Sequence, residues 1–173
     1  VQPVDFTISS SENILVTDVN KDGLADLLVG KTTGALQYWK NTGPEGTLDF
    51  VLEDDSFLEL GSTVLRQNIA CSVSDFDGDG KSDLVYGDQN GQLNIIGNFR
   101  EAANVIDAIT DLTFNPLSGI YESRNLGGRI WPTAVNLFGS TKPAIVVRNV
   151  LGGLTILRHD EGESLPETPT IES

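Results

Sequence analysis

An all-β fold assembled from three tandem units is what this 173-residue sequence predicts, and three observations predict it. First, the acidic stretch Asp75-Phe-Asp-Gly-Asp-Gly-Lys-Ser-Asp83 has a counterpart 57 residues earlier, Asp18-Val-Asn-Lys-Asp-Gly-Leu-Ala-Asp26. Second, the residues after both stretches stay in register without a gap, and a weaker third copy follows at an offset of 61 residues. Third, the apolar residues come in short runs bounded by turn residues, and no segment sustains the 3.6-residue period of a helix. A repeat of this length marks stacked supersecondary units, either a solenoid or a propeller.

Each copy reads as the same series of strands. A short apolar run enters the acidic loop: Ile14-Leu15-Val16, then Ile69-Ala70-Cys71, then Thr133-Ala134-Val135. A second run leaves it, with Leu27-Leu28-Val29-Gly30 falling on Leu84-Val85-Tyr86-Gly87 and on Ile145-Val146-Val147. A tight turn follows, Asp88-Gln-Asn-Gly91 in the middle copy, where Asn-Gly offers the positive-φ residues that a hairpin favours. Gly34, Gly91 and Gly152 coincide there. The third strand returns through Leu36, Tyr38 and Trp39, through Leu93, Ile95 and Ile96, and through Leu154, Ile156 and Leu157. Strands two and three are apolar on both faces, as in a sheet held between two others.

A fourth strand is expected at Leu48–Val51 or Phe57–Leu60, and again at Leu112–Phe114 or Ile120–Glu122. Ala102–Ile109 has room for no more than a short helix or turn. The units therefore span about 11–60, 61–122 and 123–159, with residues 1–10 forming the outer strand of a preceding unit. Residues 160–173, acidic and proline-bearing, read as a linker or tail. Four-stranded antiparallel units of this kind are the blades of a β-propeller, and closed propellers have ~4–8 blades. The three copies are thus expected to be part of a larger ring. A start at Val1 and the lack of any methionine fit a mature or excised piece of a longer chain.

Composition narrows the function. Twenty-five acids against eleven Lys and Arg give a net charge of −14, which repels phosphate backbones and argues against nucleic acid and anionic membranes as partners. No apolar run approaches the ~18 residues of a membrane span, so no membrane insertion is expected. The single Cys71 excludes an internal disulfide and reads as a small buried hydrophobe.

The acidic loops carry the chemistry. Side-chain oxygens at the first, third, fifth and ninth positions, a glycine at the sixth and the seventh backbone carbonyl are the donors of a calcium loop. An EF-hand would need a bidentate Glu at position twelve and flanking helices. Position twelve is Val29 in one loop and Tyr86 in the other, both inside β-type runs. The competing bland reading, acids as ordinary solvated turn residues, does not account for two nine-residue matches in register.

Val16-Thr-Asp-Val-Asn-Lys-Asp-Gly-Leu-Ala-Asp-Leu-Leu-Val-Gly30 and Val73-Ser-Asp-Phe-Asp-Gly-Asp-Gly-Lys-Ser-Asp-Leu-Val-Tyr-Gly87 resemble the signature of the FG-GAP/VCBS repeat family, the blades of integrin-α-like β-propellers. The resemblance implies a partial β-propeller with calcium loops between the first and second strands of each blade. It implies two Ca2+ sites: Asp18, Asn20, Asp22 and Asp26 with the Leu24 carbonyl, and Asp75, Asp77, Asp79 and Asp83 with the Lys81 carbonyl. The third copy has Asn136, Phe138, Ser140 and Ala144 at those positions and is expected to bind no cation.

Other chemistry is weaker. Gly30-Lys31-Thr32 lacks the glycine that a phosphate loop requires at position 25, which is Ala. His159 is the only histidine, which argues against a Ser-His-Asp triad. Trp39 aligns with Ile96 and Leu157 and reads as packing, whereas Trp131 is a candidate for stacking on a ligand. The expectation is a calcium-stabilised, non-enzymatic module of a secreted or cell-surface protein, serving adhesion, binding or scaffolding. It would meet a protein or carbohydrate ligand at a propeller face, alongside the remainder of a larger propeller chain. The alternatives are the propeller domain of a secreted polysaccharide-acting enzyme, or a lectin.

Overall fold

The computed structural model describes residues 6–102 and 108–159. It is all-β. Strands β1 (Asn13–Thr17), β2 (Asp26–Gly30), β3 (Leu36–Asn41) and β4 (Phe50–Asp54) form one four-stranded sheet in that order. β5 (Ala70–Ser74), β6 (Asp83–Gly87) and β7 (Leu93–Ile96) form a second sheet of three. β8 (Thr113–Asn115) and β9 (Ile120–Glu122) make a hairpin, and β10 (Ile130–Val135), β11 (Ala144–Asn149) and β12 (Leu154–Leu157) make the third main sheet. Every pairing is antiparallel, and no sheet closes on itself.

The registers repeat as the sequence does. Thr17 faces Asp26 across β1 and β2, Ser74 faces Asp83 across β5 and β6, and Val135 faces Ala144 across β10 and β11. The sheets stack through two cores. Val19, Leu28, Leu36 and Tyr38 of the first repeat meet Leu84, Tyr86 and Ile96 of the second. Phe76, Val85, Leu93 and Ile95 of the second meet Ile145 and Val147 of the third. The middle sheet is therefore covered on both sides, and every residue of β6 and β7 is buried. In the third repeat β12 alternates between exposed and half-buried positions instead.

The fourth strand departs from expectation. In the first repeat it is β4, which overlaps Leu48–Val51 and not Phe57–Leu60. The latter segment is a short 3-10 turn with Leu58 and Glu59 at positive φ. It drops Leu58 and Leu60 into the first core and so carries the chain across to the next repeat. In the second repeat neither Leu112–Phe114 nor Ile120–Glu122 joins β7; the two segments pair with each other as β8 and β9. The edge of β7 is met by a single bridge, Ile95 to Ile109. Residues 6–10 carry no strand. Instead the Phe6 ring packs edge-on against Trp39 at 5.0 Å and against Phe50 at 5.8 Å. Residues 1–5, most of the expected turn at 102–109, and the tail at 160–173 lie outside the described residues.

The β6–β7 turn is organised by Asp88, whose Oδ1 accepts the backbone N–H groups of Asn90 (2.8 Å) and Gln92 (3.2 Å). Only Gly91 takes a positive φ there; Asn90 does not. Burial raises the Asp88 pKa above the ordinary carboxylate value, and these N–H bonds offset the rise only in part. Asn149 occupies the same place in the third repeat, and its Oδ1 accepts the N–H groups of Leu151 (3.0 Å) and Gly153 (2.8 Å). Asp88→Asn is thus expected to keep both bonds while removing a desolvated charge. A folded pKa above the unfolded one gives stability that is present at low pH and lost as pH rises through the folded value. The variant should therefore melt higher than wild type at pH 7, with the difference vanishing below about pH 4, as read by thermal unfolding across that range.

Candidate metal centre

The two acidic loops leave their first strands with the same backbone. Their fourth residues, Lys21 and Gly78, and their sixth, Gly23 and Gly80, all have positive φ. Gly139 repeats the fourth position in the third copy. This turn points loop N–H groups back at the first carboxylate. Asp75 accepts from Gly78 N–H at 2.7 Å and Gly80 N–H at 2.9 Å, and Asp18 accepts from Asp22 N–H at 3.2 Å and Gly23 N–H at 2.9 Å.

In the second loop one carboxylate oxygen from each of Asp75, Asp77 and Asp83 lies within 4.8 Å of the others. Calcium takes oxygens at about 2.3–2.6 Å, so two ligands on opposite sides of one ion stand about 5 Å apart. The three side chains fit a shared cation of that size. Asp79 is not in the group; its Oδ1 accepts the Lys81 N–H at 2.8 Å. That bond is the main cause that lowers the Asp79 pKa below the ordinary value. Lys81, whose carbonyl was expected as the seventh-position donor, lies exposed in the loop.

The first loop is looser as a cation cage. No second group of three His, Cys, Asp or Glu oxygens or nitrogens converges in this way among the described residues. Its third position is Asn20, whose Nδ2 donates to Asp22 Oδ2 at 2.8 Å while its Oδ1 accepts the Asp22 N–H at 3.0 Å. Asp22 Oδ1 accepts the Leu24 N–H at 2.9 Å, and this bond, followed by that from Asn20, lowers its pKa.

The ninth-position carboxylates do something the sequence pattern does not announce. Asp26 and Asp83 are 0% and 1% exposed. Asp83 accepts Phe76 N–H at 2.7 Å and Asn98 N–H at 2.8 Å, one on each oxygen. Asp26 accepts Val19 N–H at 3.0 Å, Asn41 N–H at 2.8 Å and the Tyr38 hydroxyl at 3.2 Å. Each therefore ties the start of its loop to the far end of the third strand. Asn41 and Asn98 stand at equivalent positions, 57 residues apart, and that recurrence is the sequence signal for this tie. Burial, followed by the Asp26 charge, raises the Tyr38 pKa.

The third copy shows the alternative. Ala144 takes the ninth position and is buried, and the Leu137 N–H, which corresponds to those of Val19 and Phe76, donates to the Val135 carbonyl instead. Asn136 closes the loop through Gly139 N–H and the Ser140 carbonyl.

Both loops lie on one side of the stack. Glu101 receives Lys21 at 3.5 Å and Lys81 at 3.1 Å, and Arg100 reaches Ser82 Oγ at 2.8 Å and Thr17 Oγ1 at 3.5 Å. These ion pairs are exposed and contribute little energy, but they mark the two loops as neighbours. The remaining candidates take packing roles. Trp131 carries the guanidinium groups of Arg148 and Arg129 at 4.1 and 5.1 Å from its ring centre, and its Nε1–H donates to Asn13 Oδ1 at 2.8 Å. Cys71 packs against the first core, and burial pushes its thiol up to about 12. A cavity of about 250 Å³ lies between the second and third repeats, where Asp111, Arg158 and His159 join an apolar lining.

Among the described residues no helix is long and apolar enough to cross a membrane. The family model described as FG-GAP-like repeat matches residues 18–86, from the first residue of the first loop to strand β6. No curated protein and no solved structure matches the chain.

Proposed function

We propose that the FG-GAP-like repeat carried by residues 18–86 is a pair of propeller-like blades. In this reading the chain is a calcium-stabilised binding, adhesion or scaffolding module of a secreted or cell-surface protein, not an enzyme. The observation that carries the cation part is the convergence of Asp75, Asp77 and Asp83 oxygens within 4.8 Å. Unit charges that close repel by about 1 kcal/mol per pair in water, and by several times that where water is excluded. A bound divalent cation supplies the opposing charge. The ligand set would be Asp75, Asp77, Asp79 and Asp83 with the Lys81 carbonyl, Asp79 turning in from its bond to the Lys81 N–H. In the first loop it would be Asp18, Asn20, Asp22 and Asp26 with the Leu24 carbonyl.

The residues themselves do structural work here. The loop N–H groups preorganise the first carboxylate, and the buried ninth carboxylate fixes the loop to the third strand. Extracellular calcium is abundant enough to fill shallow, exposed loops, which supports a secreted or surface setting. Partner recognition falls to loops at the ends of the strands, where surface variation is tolerated. The proposed ligands remain a protein or a carbohydrate, and the engagement of Trp131 by two arginines turns attention from that residue to the loops.

Calcium should raise the melting temperature and EDTA lower it, since binding to the folded state adds about 2.7 kcal/mol when free calcium is a hundredfold above Kd. Asp77→Ala, at an exposed position, should remove the second site's share of that shift and leave stability in EDTA nearly unchanged. An identical melting curve with and without calcium would overturn the cation reading.

A further inference from the structure

Repeats two and three each send a lysine over the acidic loop of the repeat before them. Lys81 and Lys142 stand at equivalent positions, 61 residues apart, the seventh of the second loop and of its counterpart in the third copy. Lys142 is half-buried and lies along Gly78, the fourth residue of the second loop. Its Cε and Cγ would be 3.4 and 3.7 Å from a Cβ built on that glycine. Lys81 reaches one repeat back toward Lys21, the fourth residue of the first loop. The two ammonium groups meet on the two oxygens of Glu101, Lys21 at 3.5 Å and Lys81 at 3.1 Å.

The turn after β7 fixes Glu101 at this junction. Asn98, at φ +51, donates its N–H to Asp83 at 2.8 Å, and its carbonyl accepts the Glu101 N–H at 2.8 Å. Phe99 donates its N–H to the Ser82 carbonyl at 3.1 Å and buries its ring in the first core. Lys21, Lys81 and Glu101 line one cavity of about 90 Å³ between the loops. Such exposed pairs add little to stability, but their charges also act on any cation nearby. Lysines beside a carboxylate cage repel a divalent ion, and an acid set between the lysines offsets them. A unit charge about 10 Å from a divalent ion alters its binding about fourfold in salt-free water. That effect fades as the Debye length falls from about 30 Å at 0.01 M salt to about 3 Å at 1 M.

We propose that Glu101 is a shared charge-balancing residue of both cation loops, and that Lys81 and Lys142 act against the cation in the loop they overlie. Lys81 also belongs to the second loop, so it opposes the cation in both. The proposal rests on the cation reading and extends it: the affinity of each loop is set by a neighbouring repeat as well as by its own ligands.

Calcium titration calorimetry of the full chain at about 0.01 M salt, where exposed charges are least screened, tests this. Asp22→Ala leaves the second loop to be read alone, and Asp77→Ala leaves the first. Glu101→Gln should lower the calcium affinity of both loops by about two- to fourfold. Lys81→Gln should raise both by a similar factor, since it keeps the backbone carbonyl proposed as a ligand. Lys142→Gln should raise the second loop alone. All three effects should shrink toward none at 1 M salt. Lys81 and Glu101 are exposed and Lys142 is half-buried, so the substitutions leave both cores intact. The opposite signs decide the matter, because Glu101→Gln and Lys81→Gln break the same ion pair; a merely structural bridge would lower affinity in both. Glu101→Gln acting on one loop only, a lysine change that lowers affinity, or differences that persist at 1 M salt would overturn the proposal. Wild-type chain that takes up no calcium would overturn the cation reading and this proposal with it. Calcium binding indifferent to all three charges would overturn this proposal alone.

Discussion

Asp26→Ala and Asp83→Ala are each expected to destabilise the fold by about 3–5 kcal/mol, in EDTA as well as in calcium. Both carboxylates are buried and both accept backbone N–H groups: those of Val19 and Asn41, both buried, for Asp26, and those of Phe76, buried, and Asn98, half-buried, for Asp83. An orphaned buried donor costs about 1–3 kcal/mol, and bonds to a charged acceptor lie at the upper end. Asp26→Ala also strips the Tyr38 hydroxyl of its acceptor, so it should be the worse of the two. Denaturant unfolding checks this through the midpoint at constant slope. A loss under 1 kcal/mol in EDTA would show that these carboxylates act only as metal ligands.

Ala144 does not contradict that expectation. The third repeat holds an alanine at this position because its Leu137 N–H turns to the Val135 carbonyl, a rearrangement built by the whole loop from Asn136 to Ala144. A single substitution in the first or second loop keeps the Asp-rich turn and gains no such acceptor. The comparison with Asp77→Ala is informative for the same reason. Asp77 is exposed and accepts the Asp79 N–H, at 3.0 Å. Removing it tests the cation, whereas removing Asp83 tests the clamp.

The pattern of repeats was legible because it is local. Alternate acids, a turn glycine and two short apolar runs recur at fixed spacing, and they gave β1–β3, β5–β7 and β10–β12 in register. What escaped the sequence depends on contacts between units. Leu58 and Leu60 look like strand residues, yet they plug the first core across a 3-10 turn. Thr113–Asn115 and Ile120–Glu122 look like alternatives for one outer strand, yet their best partners are each other. The ninth-position aspartate carries the same letter whether or not it also holds two backbone N–H groups, and only its burial in the fold reveals that second role. Trp131 read as a platform for a ligand because the guanidinium nearest its ring, that of Arg148, comes from the neighbouring strand β11 and joins Arg129, two residues before it, only in the fold.

Gly30→Ala should cost about 3 kcal/mol or more, and the cause lies in the neighbouring repeat, not in its own strand. A Cβ there would lie 2.0 Å from the Ile69 carbonyl oxygen and 2.8 Å from its carbon. Backbone atoms of β2 and of the segment leading into β5 cannot rotate aside as a side chain would, so the first and second sheets must separate. Overpacking a close junction costs about 1–3 kcal/mol where side chains can adjust, and this one offers little adjustment. Gly87→Ala should be milder, because the first atoms it meets belong to the Ile130 side chain, at 2.5 and 2.9 Å, and the backbone oxygen stands off at 3.2 Å. Gly152→Ala supplies the reference. Gly152 has φ +85 and nothing within 4 Å of a built Cβ, so its cost is the left-handed backbone penalty alone, about 1–2 kcal/mol. The expected order of unfolding midpoints is therefore Gly152→Ala above Gly30→Ala, with Gly87→Ala also above Gly30→Ala. If Gly30→Ala proved as mild as Gly152→Ala, the first two sheets would not be pressed together at this point, and the stacking of repeats would have to rest on the apolar cores alone.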